Sequence, residues 1–225
     1  MTIALAAYGL TCIRGGSDAG RIVFQDVCLS LRAGDAMLLQ GPNGSGKTTL
    51  LRMMAGLMMP TTGRIQWYGR DTSSSFRGRA EQRLRVHFMA AGTKDGNRPQ
   101  HSVLQNATFW AGMFHPRSDT SMVIPVLQQV GLEDDLDTPT SQLSLGMRRR
   151  LAMARLLAVP RPLWLLDEPT GGLDVPSVEM FERLVQCHRN HGGIALIASH
   201  SNFRMEEAVS LKFDGIRRYT SDFTV

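Results

Sequence analysis

Apolar and polar positions along this chain alternate in two rhythms, and the rhythm changes twice. Residues 3–7 form a short apolar run of the kind a buried strand needs, and Val23, Val27, Leu29 and Leu31 continue a period-two pattern interrupted or bulged near residues 24–26. Ala33, Gly34 and Asp35 turn the chain into a buried strand at 36–40, which runs straight into a glycine-rich loop. From residue 47 to 59 the spacing is helical, and Pro60 ends it. A strand is predicted at 64–68, a polar surface loop or frayed helix over 70–82, a strand at 85–89 and a loop over 92–100. Residues 102–158 then carry helical periodicity only, broken near His115-Pro116 and again over 134–139. Strand (163–167), helix (176–190) and strand (194–199) follow.

That order, β-rich beginning, α/β stretch, helical insert, α/β stretch, predicts an α/β fold with a mostly parallel sheet and crossover helices. The chain is read as a single domain over 1–225, with the core in 1–94 and 156–225 and a helical lobe at 95–155. A length of 225 residues suits this.

Composition narrows the function classes. Hydrophobic residues make up 43% and charged residues 20%, as in ordinary globular proteins, and no run approaches the roughly 20 apolar residues that span a bilayer. The N-terminus lacks the basic-then-apolar pattern of a signal peptide, so a cytoplasmic protein is expected. Cys12, Cys28 and Cys187 are too few and too scattered for a disulfide framework or a zinc site. The net charge is +5, but the positive residues are scattered, with one dense spot at Arg148, Arg149 and Arg150, which speaks against nucleic acid as the partner.

The candidate chemistry begins with GPNGSGKTT: Gly41, Pro42, Asn43, Gly44, Ser45, Gly46, Lys47, Thr48 and Thr49. This is the phosphate-loop pattern G-x-x-x-x-G-K-[ST] between a strand and a helix. Its glycines let backbone N–H groups converge on phosphate oxygens, and the helix that follows presents its positive end to the same anion. Lys47 is expected at the β- and γ-phosphates and Thr48 at Mg²⁺. LWLLDE at 163–168 is a buried strand ending in two acids, with Asp167 expected at the metal's hydration shell and Glu168 placed to polarise a water.

LSLGMR lies at 143–148, GGLD at 171–174, and His200 follows the apolar strand IALIAS. With the phosphate loop and LLDEPT, this series resembles the ABC ATPase family over nearly the whole chain. The resemblance implies a P-loop NTPase core with an antiparallel N-terminal β part and an inserted helical lobe. It implies ATP and Mg²⁺ as cofactors, and a second copy of the chain forming an ATP sandwich. Ser144 and Gly146 are then expected at the γ-phosphate bound by that second copy, Asp174 between the two sites, and His200 on the γ-phosphate, orienting Glu168 and water. Lys47, Glu168 and His200 form the expected catalytic set.

Three positions depart from the family pattern. Met147 stands where the signature motif has glutamine. Ala90 and Ala91 follow the strand that should lead to the Q-loop glutamine. Arg14 stands near the place of the adenine-stacking aromatic; its guanidinium plane could stack there, a solvated arginine is the alternative, and Tyr8 is a second stacking candidate.

The opening LTCIRGG, the short chain and the unusual Q-loop look like the haem exporter ATP-binding subunits of cytochrome c maturation. That likeness implies membrane-spanning transporter subunits as partners, haem-handling proteins indirectly, and the cytoplasmic face of a bacterial inner membrane. Another small ABC exporter or importer, and a non-transport ABC ATPase, are the alternative readings. Met53, Met54, Met58 and Met59 read as packing residues rather than ligands. His188 and His191 lack further metal ligands nearby in sequence.

Overall fold

Two sheets organise the part of the chain that carries the phosphate loop. The computed structural model describes residues 3–15, 20–89, 96–114, 120–199, 205, 207–213 and 219–220. The elements run β1 (Ile3–Arg14), β2 (Arg21–Arg32), β3 (Ala36–Gln40), α1 (Lys47–Met54), β4 (Thr62–Trp67), β5 (Arg70–Asp71), α2 (Phe76–Leu84) and β6 (Val86–Met89). After these come α3 (Val103–Phe114), α4 (Thr120–Gln129), α5 (Leu145–Ala158), β7 (Leu163–Asp167), α6 (Val175–Asn190), β8 (Ile194–Ser199), β9 (Val209–Lys212) and β10 (Tyr219–Thr220).

One sheet has the order β10-β2-β1-β4-β5, and its β1–β2, β1–β4 and β4–β5 pairs are antiparallel. The expected irregularity in β2 is a bulge: partners step from Leu10↔Val27 to Cys12↔Phe24, three residues against two, and Asp26 takes a φ of 55°. β4 and β5 join through Tyr68 and Gly69, both at positive φ (46° and 77°), the backbone of a tight hairpin turn.

The other sheet has the order β6-β7-β8-β3-β9, with β7, β8, β3 and β9 running parallel. Every residue of β7 and β8 is buried, which explains their unbroken apolar sequence. The register sets Gln40 opposite Ser199 and Asp167 opposite Ala198, so the ends of β3, β8 and β7 lie level. A ligand in such a sheet binds beyond these carboxyl ends.

α1 is shorter than the 47–59 expected. It closes at Met54, because Gly56 adopts φ 69° and an added Cβ there would stand 2.9 Å from the Arg79 carbonyl oxygen. The 70–82 stretch resolves into β5, a turn in which Asp71 accepts hydrogen bonds from the backbone of Ser73 (2.8 Å) and Ser74 (3.2 Å), and α2, N-capped by Ser75. β9 and β10 lie beyond residue 199, where periodicity gave no element.

Backbone proximity divides the chain into two units. The first comprises Met1–Phe88, Pro162–Glu168 and Cys187–Val225, and the second Met89–Arg161 and Pro169–Gln186. The first contains a core in which Leu39, Leu50, Met53, Leu165, Leu196 and Phe213 are all fully buried. In the second, Val103, Val123, Leu127 and Leu151 are buried on α3, α4 and α5. There Asn106, with no exposed surface, donates to the carbonyls of Arg98, His101 and Ser102 (each 3.1 Å) and so ties the start of α3 to the preceding loop. Among the described residues no helix is long and apolar enough to cross a membrane.

Candidate functional site

The phosphate loop is seated by residues far away in sequence. A Cβ at Gly41 would fall 1.8 Å from the Phe213 carbonyl oxygen, so the backbone just beyond β9 admits only glycine there. Gly46 stands at the N-cap of α1 with φ 107°; a Cβ there would meet Val23 at 2.9 Å and both Phe24 and Phe213 at 3.1 Å. Phe24 and Phe213 pack edge to face at 5.5 Å and form the floor beneath the loop. Neither carried a signal in the sequence; their relation to the loop is a long-range contact.

Above that floor Lys47 is only 6% exposed, and its Nζ donates to the carbonyls of Gly41 (2.6 Å) and Pro42 (3.0 Å). Thr48 Oγ1 donates to Asp167 Oδ2 at 2.7 Å, joining loop and strand end across 119 residues of sequence. Asp167 is buried at the end of β7. The next residue, Glu168, takes a left-handed φ of 50°, an uncommon state for a residue with a side chain, and its amide donates to Ala198 O at 2.9 Å. Pro42, Asn43 and Gly44 form the exposed outer turn; Gly44 has nothing within 4 Å of an added Cβ.

A phosphate chain fits these residues. Among the described residues Ser45 Oγ, which is buried, has no hydrogen-bond partner, and the buried Lys47 ammonium bonds only to carbonyl oxygens. Thr48 and Asp167 offer two hard oxygen donors side by side, the donor chemistry Mg²⁺ takes.

Arg14, at the end of β1, donates from Nη2 to Thr49 Oγ1 at 3.2 Å, so its guanidinium is fastened to the helix of the loop. Burial pushes the thiol of nearby Cys12 up despite the opposing charge of Arg14. Tyr8, the other stacking candidate, lies under the Arg64 guanidinium at 5.2 Å. All three cysteines are free.

In the second unit, Ser144 N-caps α5, its Oγ accepting from Met147 N at 3.2 Å. Gly146 has room: among the described residues a Cβ would meet only Gly172 O at 3.8 Å and Ser144 Oγ at 4.0 Å. Asp174, fully exposed, accepts from Ser177 N at 3.0 Å; the Ser177 hydrogen bonds, with Arg150 near, hold its carboxyl below the ordinary carboxylate range. Ser144, Gly146, Met147, Arg150, Asp174 and Ser177 line a shallow cleft of about 360 Å³.

Other candidates have structural employment. His188 stacks on Trp164 (3.9 Å between centroids, 6° between planes), and burial pushes its pKa down to about 4. No group of three metal-ligating side chains occurs among the described residues. Of the four methionines after the loop, Met53 and Met54 are buried and Met59 is 55% exposed. On α3, Phe109 lies under Arg98 at 4.2 Å and Trp110 under Arg155 at 4.8 Å. His200, Ala90 and Ala91 lie outside the described residues.

Comparison with known proteins gives the family. A family model described as ABC transporter matches residues 24–171. The chain is 39% identical over 211 residues to the cytochrome c biogenesis ATP-binding export protein CcmA of Paramagnetospirillum magneticum, covering 93% of each. It is 41% identical over 197 residues to the protein of the same name from Rhodopseudomonas palustris, covering 88% of this chain and 92% of that one. Among solved structures, a bacterial ABC transporter cassette determined as a dimer superposes with a TM-score of 0.83 at 22% identity, over 98% of this chain and 100% of that one. The cbiO1 protein of Clostridium perfringens, part of an ABC transporter complex, gives 0.73 at 25% identity, over 89% of this chain and 80% of that one.

Proposed function

The chain belongs to the ABC transporter family, among its cytochrome c biogenesis ATP-binding export proteins, and on that premise we propose that it powers a haem exporter by hydrolysing ATP between two copies of itself. The observation that carries this reading is the Thr48–Asp167 hydrogen bond, which brings the loop that would bind phosphate against the strand end that would bind metal, with Glu168 next in line.

Each residue has work suited to its setting. The backbone amides of residues 41–49 and the N-terminus of α1 bind the β- and γ-phosphates. Lys47 gives up its two carbonyl partners for phosphate oxygens, a stronger charge-assisted pairing. Thr48 and Asp167 would hold Mg²⁺, which when bound would supply charge neutralisation at the phosphates. Glu168 orients the attacking water and accepts its proton at a carboxylate oxygen. His200 is assigned to the γ-phosphate through the family resemblance. Arg14, anchored on Thr49, offers its guanidinium plane to the adenine.

The second copy supplies what this loop lacks. Ser144 and Gly146, at the N-terminus of α5, contribute amides and a hydroxyl to the γ-phosphate of the partner's nucleotide. Asp174 lies between the two sites. The helical lobe, residues 95–155, is the face for the membrane-spanning subunits: α3 bears an apolar groove lined by Leu104, Phe109 and Met113, into which a helix of such a subunit packs. The chain thereby sits at the cytoplasmic face of the inner membrane, and haem-handling proteins reach it only through those subunits.

The test is direct. Glu168→Gln retains the binding groups and lacks the base, so with saturating MgATP it should accumulate as a dimer in light scattering while hydrolysis stops. A variant that remains monomeric rejects the sandwich. Isolation of the wild-type complex from membranes, with partners identified by mass and haem by absorbance, tests the cargo.

A further inference from the structure

The amphipathic pattern of α2 is inverted. The side turned to the protein carries Gln82, 1% exposed, whose Nε2 donates to Met54 O at 3.1 Å, and Gly78, where a Cβ would stand 3.0 Å from the Thr72 carbonyl oxygen. The opposite side carries Phe76, Ala80 and Leu84, spaced four apart in a single stripe. Phe76 is 76% exposed and Leu84 62%. An ordinary surface helix does the reverse, burying its phenylalanine and leucine and leaving its glutamine in water. The segment just after α1 lies against α2, since Arg83 Nε donates to Gly56 O at 2.9 Å.

Charge identifies what covers such a ridge. Residues 76–85 contain Arg77, Arg79, Arg83 and Arg85 against the single acid Glu81. Arg79 and Arg83 anchor the helix through Ser73 O and Gly56 O, and Arg77, highly exposed, donates to Glu81 at 3.2 Å in a surface ion pair that water and salt screen, which leaves residues 76–85 with a net positive charge. Apolar side chains set among arginines on an exposed helix face match the boundary between lipid headgroups and acyl chains, where guanidinium groups meet phosphates and the phenyl and isobutyl groups enter the hydrocarbon.

We propose that α2 is a membrane-surface element that binds an anionic bilayer directly, independently of the transporter subunits that the helical lobe serves. The contact needs no nucleotide, and it is electrostatically steered, so salt weakens it.

Vesicle flotation of the purified full chain tests this, with phosphatidylcholine alone and with phosphatidylcholine mixed with phosphatidylglycerol. The wild type should float with the mixed vesicles only. Phe76→Ser combined with Leu84→Ser should reduce binding by about tenfold or more, since the inserted apolar area is lost. Arg77→Gln should reduce it by about fivefold through loss of one surface cation. Both positions are exposed, so the melting temperature and ATP binding should hold; if the double variant nevertheless fails to fold, the Arg77 variant decides alone. Equal flotation with both vesicle types, unaltered binding in the variants, or a wild type that binds neither overturns the proposal. A wild type that ignores vesicles but cross-links from position 84 to a membrane subunit also overturns it, in favour of a protein partner.

Discussion

Gly46 and Gly146 each stand at the N-terminal end of a helix in a motif expected to hold phosphate, and their surroundings differ completely. Gly46 is enclosed by Val23, Phe24 and Phe213, with no space for one more carbon. At Gly146 a Cβ would meet only ordinary van der Waals contacts, and among the described residues nothing forbids a side chain. The phosphate loop is finished within one molecule: its lysine is buried, its threonine is already bonded to Asp167, and its floor is an aromatic pair from β2 and the end of β9. The tip of α5 is finished only as a helix end, capped by Ser144, with Asp174 performing the same service for α6. A glycine that the fold demands reports on folding. A glycine that the fold does not demand is free to serve something brought from outside, in our proposal the partner's nucleotide.

Substitutions sharpen the contrast. Lys47→Ala should have the largest effect, lowering ATP hydrolysis by about a hundredfold or more, because a preorganised charge at the phosphates is lost. Turnover at the wild-type rate would remove the phosphate-loop assignment. Gly46→Ala should destabilise the chain by about 1–3 kcal/mol through clash and backbone strain, read as a lower denaturation midpoint. Gly146→Ala should do the opposite to the isolated chain, raising stability by up to about 1 kcal/mol as alanine replaces glycine in a helix, while hydrolysis falls. If hydrolysis is retained, the open tip has no partner in trans and the contrast is broken. Arg14→Ala should weaken ATP by about tenfold and ribose triphosphate hardly at all, given the usual strength of cation–π stacking. Ser144→Ala should cost about 1 kcal/mol of stability from the lost cap.

Acid separates the two regions by a smaller effect. His188, which backs the β7 strand through Trp164, is pushed by burial from its usual 6.5 to about 4, so the unfolded chain binds that proton more readily than the folded one. Its share of stability is therefore intact above pH 6.5 and declines as pH falls from there to about 4. His188→Phe should flatten that limb in thermal melts between these pH values. The Asp174 cap, with its pKa lowered by Ser177, should persist through the same interval and fail only below the ordinary carboxylate range.

Much of this molecule was legible in one dimension. GPNGSGKTT and LWLLDE suggest their chemistry by residue type and spacing, LSLGMR and GGLD only through the family resemblance, and the largely apolar runs at 36–40, 163–167 and 194–199 read as buried parallel strands once helices were seen between them. The bulge in β2 was visible as a fault in its alternation. Other features left no local trace. β9 and β10 are short, and each is held by a strand distant in sequence. The end of α1 at Met54 was masked by five more residues of good helical pattern, because Gly56 stops the helix where α2 packs.

The sequence by itself determined the elements and the chemical groups, since turns, periodicity and phosphate-binding glycines act through near neighbours. Only the tertiary structure decided that Phe213 requires Gly41, that Thr48 meets Asp167 and that α2 turns its phenylalanine outward. Those are contacts between residues separated by up to 172 positions, and their energy exists only once the sheet has brought the strand ends level.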